Sequence, residues 1–264
     1  KMIRKISHVE ADGAKASIAC GEVFLETQTH DENYHDPAFD AKTYTIFGII
    51  LEILKSSIPA TMGLLFVFIL ETINIIILGQ HNNATLIAAI GIGTLYVNAT
   101  GYIPAAGLLG GVDTLCSQAF GQHRLDLVGI HSSIGRISVT LFFFCLTIPL
   151  NFLTYSILNG IGIDENVSAS ASEFCHAMSI SVFFALQFNS SIRYLQSMNI
   201  FIPGSVITLI TAVIHPFWCY LLVNTYDYGV VGAGISMGIT QFTNFLLITL
   251  YIKFMNPYPE SFVF

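Results

Sequence analysis

Six long apolar stretches occupy residues 46–254, at roughly 46–78, 86–110, 134–158, 174–197, 203–224 and 229–254. Crossing about 30 Å of hydrocarbon takes ~20 residues of helix at 1.5 Å each. Every stretch meets that length, and only helices or closed barrels satisfy their backbone hydrogen bonds inside lipid. Apolar runs of this length without strict alternation are helical spans. The ten basic residues are Lys1, Arg4, Lys5, Lys15, Lys42, Lys55, Arg124, Arg136, Arg193 and Lys253. Threaded in order, all ten lie at or beyond the same ends of the spans. The opposite connections, near 79–85, 158–173 and 224–228, contain none. Cytoplasmic loops carry the Lys and Arg excess, so the N-terminus is expected in the cytoplasm. The expected class is an all-α, multi-pass integral membrane protein built as a six-transmembrane-helix bundle.

Composition agrees with that threading. Charged residues are 10% of the chain and hydrophobic residues 53%, against about 25% charged in an ordinary soluble domain. Eight of the seventeen acids fall in residues 1–45 beside five bases. That segment lacks apolar periodicity and is expected to be a polar, disordered cytoplasmic tail. The bundle is expected over 46–256, and 257–264, with Pro257 and Pro259, as the start of a linker. No basic stripe exists to neutralise phosphates, so a nucleic-acid partner is not expected. The five cysteines form no C-x-x-C pair and read as small hydrophobes. No zinc spacing or nucleophile motif is present, so neither a metal centre nor an enzyme is expected. Gly232-Ala-Gly234 is not a dinucleotide fingerprint, because no strand precedes it.

Within the spans, local chemistry is uneven. Pro59 is expected at the entry of the first, and Pro104 is expected to kink the Gly-rich second. A connection of 22 residues is expected from Val112 to Ser133. The third span carries Pro149, and a Gly-rich acidic loop is expected over Asn159–Asn166. The fourth is the least apolar, with Gln187, Asn189, Ser190, Ser191 and Arg193. Such a helix lines water or partner helices rather than lipid. The sixth holds Gly234 and Gly238 at the spacing that lets membrane helices approach closely.

Several residues are candidates for chemistry. Glu71 lies about two turns inside the first span. A bare carboxylate there is costly, so it is expected to be protonated, paired or facing water. It is a candidate proton carrier, or a structural residue near a cleft mouth. Asn74 shares its face three residues on. His215, before Pro216, is a proton-sensitive candidate or a packing histidine. Asn98 and Gln187 are candidate cleft residues, with interhelical bonding as the plainer alternative. Asp113 is a candidate cap for a helix beginning near Thr114, or a partner of Arg193 or Arg136. The aromatic side chains, Phe183, Phe184 and Trp218 among them, offer faces to organic cations. His30 and His35 in the tail read as solvated.

Residues 110–121 read GGVDTLCSQAFG. This resembles the G-x-x-x-D-T-L-C-x-Q-A-[FY]-G signature of the multidrug and toxic compound extrusion (MATE) transporters, above all their eukaryotic branch. Asn98-Ala-Thr-Gly101 is similar to the family's second-helix N-V-T-G. Ile192-Arg-Tyr-Leu-Gln196, followed by Pro203, resembles the end of its fourth. His215-Pro-Phe-Trp-Cys-Tyr220 and Gly229-Val-Val-Gly-Ala233 resemble parts of its fifth and sixth. The resemblance covers about residues 46–256.

It implies one lobe, the N-terminal half, of a twelve-helix transporter with two six-helix bundles. The implied activity is export of organic cations, xenobiotics or metabolites in exchange for H+ or Na+, by alternating access and without a cofactor. A second six-helix lobe in a longer chain is then expected, in the plasma membrane or an endomembrane such as the vacuole. The signature residues Asp113, Thr114, Gln118, Gly121, Arg193 and Gln196 are expected to form a cytoplasmic gate or brace. In prokaryotic branches the position five before the Gly that ends the first helix is a coupling Asp. Here it is Asn74, which cannot titrate, and the acid stands one turn away at Glu71. The alternative function is a non-transporting half that serves as an assembly or scaffold partner. A six-helix channel lacks support, since paired N-P-A loops are absent.

Overall fold

The computed structural model describes residues 46–80, 83–255 and 258, with backbone only at Phe47, Ile49 and Glu52. The expected tail (1–45) and nearly all of the expected linker, as well as Cys20, His30 and His35, lie outside the described residues. The chain divides into two units, 1–50 and 51–264. Of the first, only the opening of a helix is described.

The described residues are almost wholly helical. The long helices are α1 (Ile46–Gly79), α2 (Ala84–Gly121) and α3 (Leu125–Phe152). A short α4 (Thr154–Gly160) follows, then α5 (Glu165–Ser197), α6 (Ile202–Thr225) and α7 (Gly229–Met255). Six of them are long and apolar enough to span a membrane. Side chains such as Leu64, Phe68, Ile137, Leu141, Val213 and Phe217 are more than half exposed. In a water-soluble domain so much open apolar surface would drive association; around a membrane bundle it faces lipid.

α5 is the hub. It packs against α2, α3, α4 and α7, and its contact with α7 is the most extensive in the molecule. Of the six spans it is the least apolar, and half of its window is buried. A helix surrounded by protein does not meet lipid, so Ser168, Ser172, Ser181, Ser190 and Ser191 are tolerated along it. Small residues allow this packing. A Cβ at Gly234 of α7 would stand 2.6 Å from Ala177 Cβ of α5, and one at Gly93 of α2 would stand 2.7 Å from the Phe174 ring.

Three π-bulges interrupt the helices, two of them just before a proline, whereas Pro59 lies in unbroken α-helix. α2 bulges at Asn98–Tyr102, just before Pro104. α3 bulges at Phe143–Thr147, just before Pro149. α6 bulges at Leu221–Thr225, beyond Pro216. Four of the turns between helices carry a residue of positive φ: His123 (58°), Gly162 (93°), Asn199 (63°) and Asp227 (55°).

Four expectations need correction. The connection expected over Val112–Ser133 is only Gln122–Arg124, because α2 runs to Gly121 and α3 begins at Leu125. Residues 112–120 hold no helix breaker, so the helix continues past the apolar stretch with Val112, Cys116 and Ala119 on its packed face. Asp113 therefore lies inside α2 and caps no helix beginning at Thr114. Pro59 is inside α1 rather than at its entry, thirteen residues beyond Ile46. The loop expected over Asn159–Asn166 shrinks to Ile161–Asp164, with Asp164 capping α5 through the amides of Asn166 and Val167.

A buried polar network and a basic-end ion pair

Two polar groupings occupy different levels of the bundle. The deeper one joins α1, α6 and α7. Asn74, His215, Thr240 and Asn244 are each at most 3% exposed. Asn74 Oδ1 faces His215 Nε2 at 3.1 Å and accepts from Cys219 Sγ at 3.1 Å. The other ring nitrogen, His215 Nδ1, lies 2.8 Å from Thr240 Oγ1. Thr240 Oγ1 also reaches the Ser236 carbonyl at 3.0 Å. One turn along α6, Thr211 Oγ1 donates to Asn244 Oδ1 at 2.7 Å, and Asn244 Nδ2 donates to Gln241 at 3.1 Å.

Helical spacing assembles this network. Thr211, His215 and Cys219 recur every four residues on α6, as do Ser236, Thr240 and Asn244 on α7, which puts each trio on one face. The two faces meet, and α1 closes over them through Asn74. α1 is fastened to α6 at three heights: Ser205 donates to the Pro59 carbonyl, Asn74 meets His215 and Cys219, and Asn224 donates to Gln80.

The proton count at His215 is informative. Thr240 has a single hydroxyl proton. With it on His215 Nδ1, the ring is neutral and its Nε2–H donates to Asn74. With it on the Ser236 carbonyl, Nδ1 must itself donate to Thr240, and the ring carries two protons. Both states keep every ring nitrogen hydrogen-bonded, and they differ by one hydroxyl rotation. An acidic residue at position 74 would instead hold the imidazolium as a fixed ion pair. Asn74 supplies no counter-charge, so a second proton on this fully buried ring would be an uncompensated charge.

The second grouping lies at the end that holds Lys55, Arg124, Arg136, Arg193 and Lys253. Arg193 of α5 pairs with Asp113 of α2, both side chains about one-third exposed. Arg136 of α3 donates to Ser191 Oγ at 3.1 Å, and Ser191 donates to the Gln187 carbonyl at 2.8 Å. Gln187 Nε2 donates to Thr140 Oγ1 at 2.8 Å, and Thr140 donates to the Arg136 carbonyl at 2.7 Å. These four bonds close a circuit between α3 and α5. The acids Asp164, Glu165, Glu173 and Asp227 belong to the opposite end of the bundle, where the described residues hold no Lys or Arg.

The remaining sequence candidates take these places. Glu71 is half-buried on α1 and makes no hydrogen bond or ion pair among the described residues; the Tyr102 phenol of α2 is within its electrostatic reach. Asn98 opens the α2 bulge and is half-buried. Gln187 is committed to α3 through Thr140. Thr114, Gln118 and Gly121 are exposed, and Gln196 is half-buried. Phe143, Phe183, Phe184 and Phe242 form a continuous aromatic row across α3, α5 and α7, with centroids 5.0–5.4 Å apart. Trp218 stands apart from it against Phe217. Sequence reading missed Thr240, Asn244 and Cys219 as members of the buried network. Their four-residue spacing on facing helices was the available signal.

An all-α membrane bundle that hides polar groups between its helices and turns apolar ones outward is the architecture of a lobe of a polytopic transporter. The family follows from comparison. The sequence profile of the MatE family matches residues 59–221, and the chain belongs to that family. Protein DETOXIFICATION 14 of Arabidopsis thaliana is 28% identical over 74% of this chain and 40% of its own length. Protein DETOXIFICATION 37 of the same organism is 32% identical over 69% of this chain and 36% of its own. Multidrug and toxin extrusion protein 1 of Xenopus tropicalis is 28% identical over 80% of this chain and 36% of its own. The crystal structure of the eukaryotic MATE transporter AtDTX14 superposes with a TM-score of 0.74 at 25% identity, covering 81% of this chain and 48% of that one. The chain thus spans about two-fifths of these sequence relatives and about half of the solved transporter. It is one six-helix half of a twelve-helix architecture.

Proposed function

We propose that this chain is the N-terminal lobe of a secondary antiporter. It exports organic cations or other xenobiotics and metabolites in exchange for a cation, with H+ favoured over Na+. Antiport requires one site to prefer the two ligands in different access states. The observation that supports a proton as coupling ion is the His215 network, which satisfies its hydrogen bonds with one proton on the ring or with two. A Na+ site built from the same groups would lack a carboxylate among its described ligands, and hard cations favour such oxygens. Glu71, half-buried and without a hydrogen bond or ion pair among the described residues, is the second carrier; its counter-charge is the organic cation or a group of the other lobe. Asp113 and Arg193 then act as a brace at the cytoplasmic end, with the N-terminus inside. We place the 1–45 segment as a cytoplasmic tail and the 257–264 segment as the lead into the second lobe.

The test uses the full-length protein in proteoliposomes loaded with ethidium. A pH gradient should drive ethidium movement, a Na+ gradient should not, and His215→Ala should abolish the response to pH. An unchanged pH response in both His215→Ala and Glu71→Gln refutes the assignment of coupling to this lobe. Ethidium movement without any gradient would refute antiport altogether. The scaffold alternative has no observation in its favour beyond the span of the chain.

A further inference from the structure

Four asparagines open an Asn-x-Ser/Thr triplet: Asn83, Asn98, Asn166 and Asn189. With x other than proline, this triplet is the acceptor for N-linked oligosaccharide. Random chains carry it often, so the fold has to choose among the four. It removes two at once. Asn98 lies in the bulge of α2, and Asn189 lies within α5, four residues from Arg193 at the basic end. Asn83 and Asn166 both belong to the opposite end, and reach separates them. Transfer takes place in water above the bilayer, on chain that has not yet folded. What counts is the tether to the nearest apolar stretch. Asn83 is three residues from the stretch at 86–110, about 10 Å of fully extended chain. Asn166 is eight residues from the stretches at 134–158 and 174–197 alike, about 26 Å on either side.

The folded protein keeps Asn166 in the open. α5 has 33 residues, so it is about 50 Å long against about 30 Å of hydrocarbon. Counted outward from Ser197 at its inner end, the length needed to cross runs out near His176. Asn166 stands about 15 Å beyond that level. Asn166, Ala169 and Glu173 form an exposed face of the projecting part, while Ser168, Ala171, Ser172 and Cys175 turn inward and are buried. Asp164 caps α5 through the backbone N–H of Asn166, not through its side chain. The Asn166 side chain makes no hydrogen bond among the described residues, so a group added at Nδ2 breaks none. Ser168 is the reverse case. It is 0% exposed, and its hydroxyl donates to the Ile163 carbonyl at 3.3 Å. The hydroxyl of the triplet is therefore readable only before the first turn of α5 forms.

We propose that Asn166 is a site of N-linked glycosylation, modified during membrane insertion, and that Asn83, Asn98 and Asn189 stay bare. The proposal rests on the threading that puts the basic end of the bundle in the cytoplasm. The donor is an oligosaccharide carried on a polyprenyl pyrophosphate. Asn166 Nδ2 forms a bond to the anomeric carbon of the first sugar. The bond from that carbon to the pyrophosphate breaks, and the pyrophosphate leaves with its electron pair. The amide nitrogen gives up one proton, so no oxidant or reductant is needed. Oδ1 is left as it was, and the sugar extends into solvent from the exposed face of α5.

The experiment expresses the full-length protein in eukaryotic cells and releases N-glycans with peptide N-glycosidase in oxygen-labelled water. That enzyme converts a glycosylated Asn to a labelled Asp, which peptide mass spectrometry assigns to its position whatever the second lobe carries. Label should appear at position 166 and be absent at 83, 98 and 189. Asn166→Gln, an exposed change that leaves the Asp164 cap in place, should remove one glycan from the intact mass. Ser168→Thr keeps the hydroxyl and should keep the label. An impermeant maleimide on Asn159→Cys in a cysteine-free background separates the two ways of failing. No label at 166, with position 159 reactive from outside the cell, overturns the modification and leaves the threading standing. No label at 166, with position 159 reactive only after permeabilisation, overturns the threading and the modification with it. Label at Asn83 overturns the choice by tether length.

Discussion

Gly234 and Gly238 form one small-residue pair in the sequence, yet they should respond oppositely to the same substitution. A Cβ at Gly234 would lie 2.6 Å from Ala177 Cβ, 3.2 Å from the Phe174 carbonyl oxygen and 3.3 Å from the Ala177 carbonyl carbon. Two of those three atoms are backbone of the hub helix and cannot rotate aside. Carbon atoms rest at about 3.5–4.0 Å, so α7 would have to withdraw from α5 by about an ångström at its most extensive contact. Overpacking of this kind costs typically 1–3 kcal/mol. For a domain of 150–250 residues that is roughly 2–12 °C in Tm. At Gly238 nothing lies within 4 Å. Gly238→Ala should be neutral or gain up to about 1 kcal/mol from helix propensity.

The assay is thermal unfolding of the purified full-length protein in detergent. Gly234→Ala should lower Tm, Gly238→Ala should hold or raise it, and Ala177→Gly combined with Gly234→Ala should recover part of the loss. The recovery should be incomplete, because the Phe174 carbonyl stays at 3.2 Å. Equal effects of the two single substitutions would refute the helix packing described for α5 and α7.

Three further outcomes follow from the same geometry. Asp113→Asn should cost less than about 1 kcal/mol, since the pair with Arg193 is one-third exposed and solvent-screened; exchanging the two residues should restore thermal stability, and a swap less stable than either single variant would count against a simple pair. Thr140→Val leaves the buried Gln187 amide without its acceptor and should destabilise by about 1–3 kcal/mol, read as a fall in Tm that Thr140→Ser does not show. In a cysteine-free background, Asn159→Cys and Asp227→Cys should react with an impermeant maleimide from outside the cell, whereas Gln122→Cys should react only after permeabilisation. Labelling of position 122 and position 159 from the same side would undo the threading.

Six spans, their order and the one-sided placement of basic residues were legible in the chain, because a bilayer acts on each segment independently of the rest of the fold. Hydrophobic length and terminal charge are local quantities, and a single sequence displays them. The GGVDTLCSQAFG run carried the family for a similar reason: it is contiguous. Partner choice was not legible. Asp113 faced two arginines at comparable depth, and only the packing of α2 on α5 selected Arg193 over Arg136. Asn74 and His215 were each visible as polar residues in apolar spans, but nothing in their separation of 141 residues brings them within 3.1 Å. Helix ends depart from the expectation where hydrophobicity stops before helicity does, as at Val112–Gly121, since the end of an apolar stretch does not end a helix that has a surface to pack on. Glycine spacing announced a close approach without saying which glycine makes it. That was decided by the rotation of α7 about its axis, a property of the packed bundle that no single helix contains.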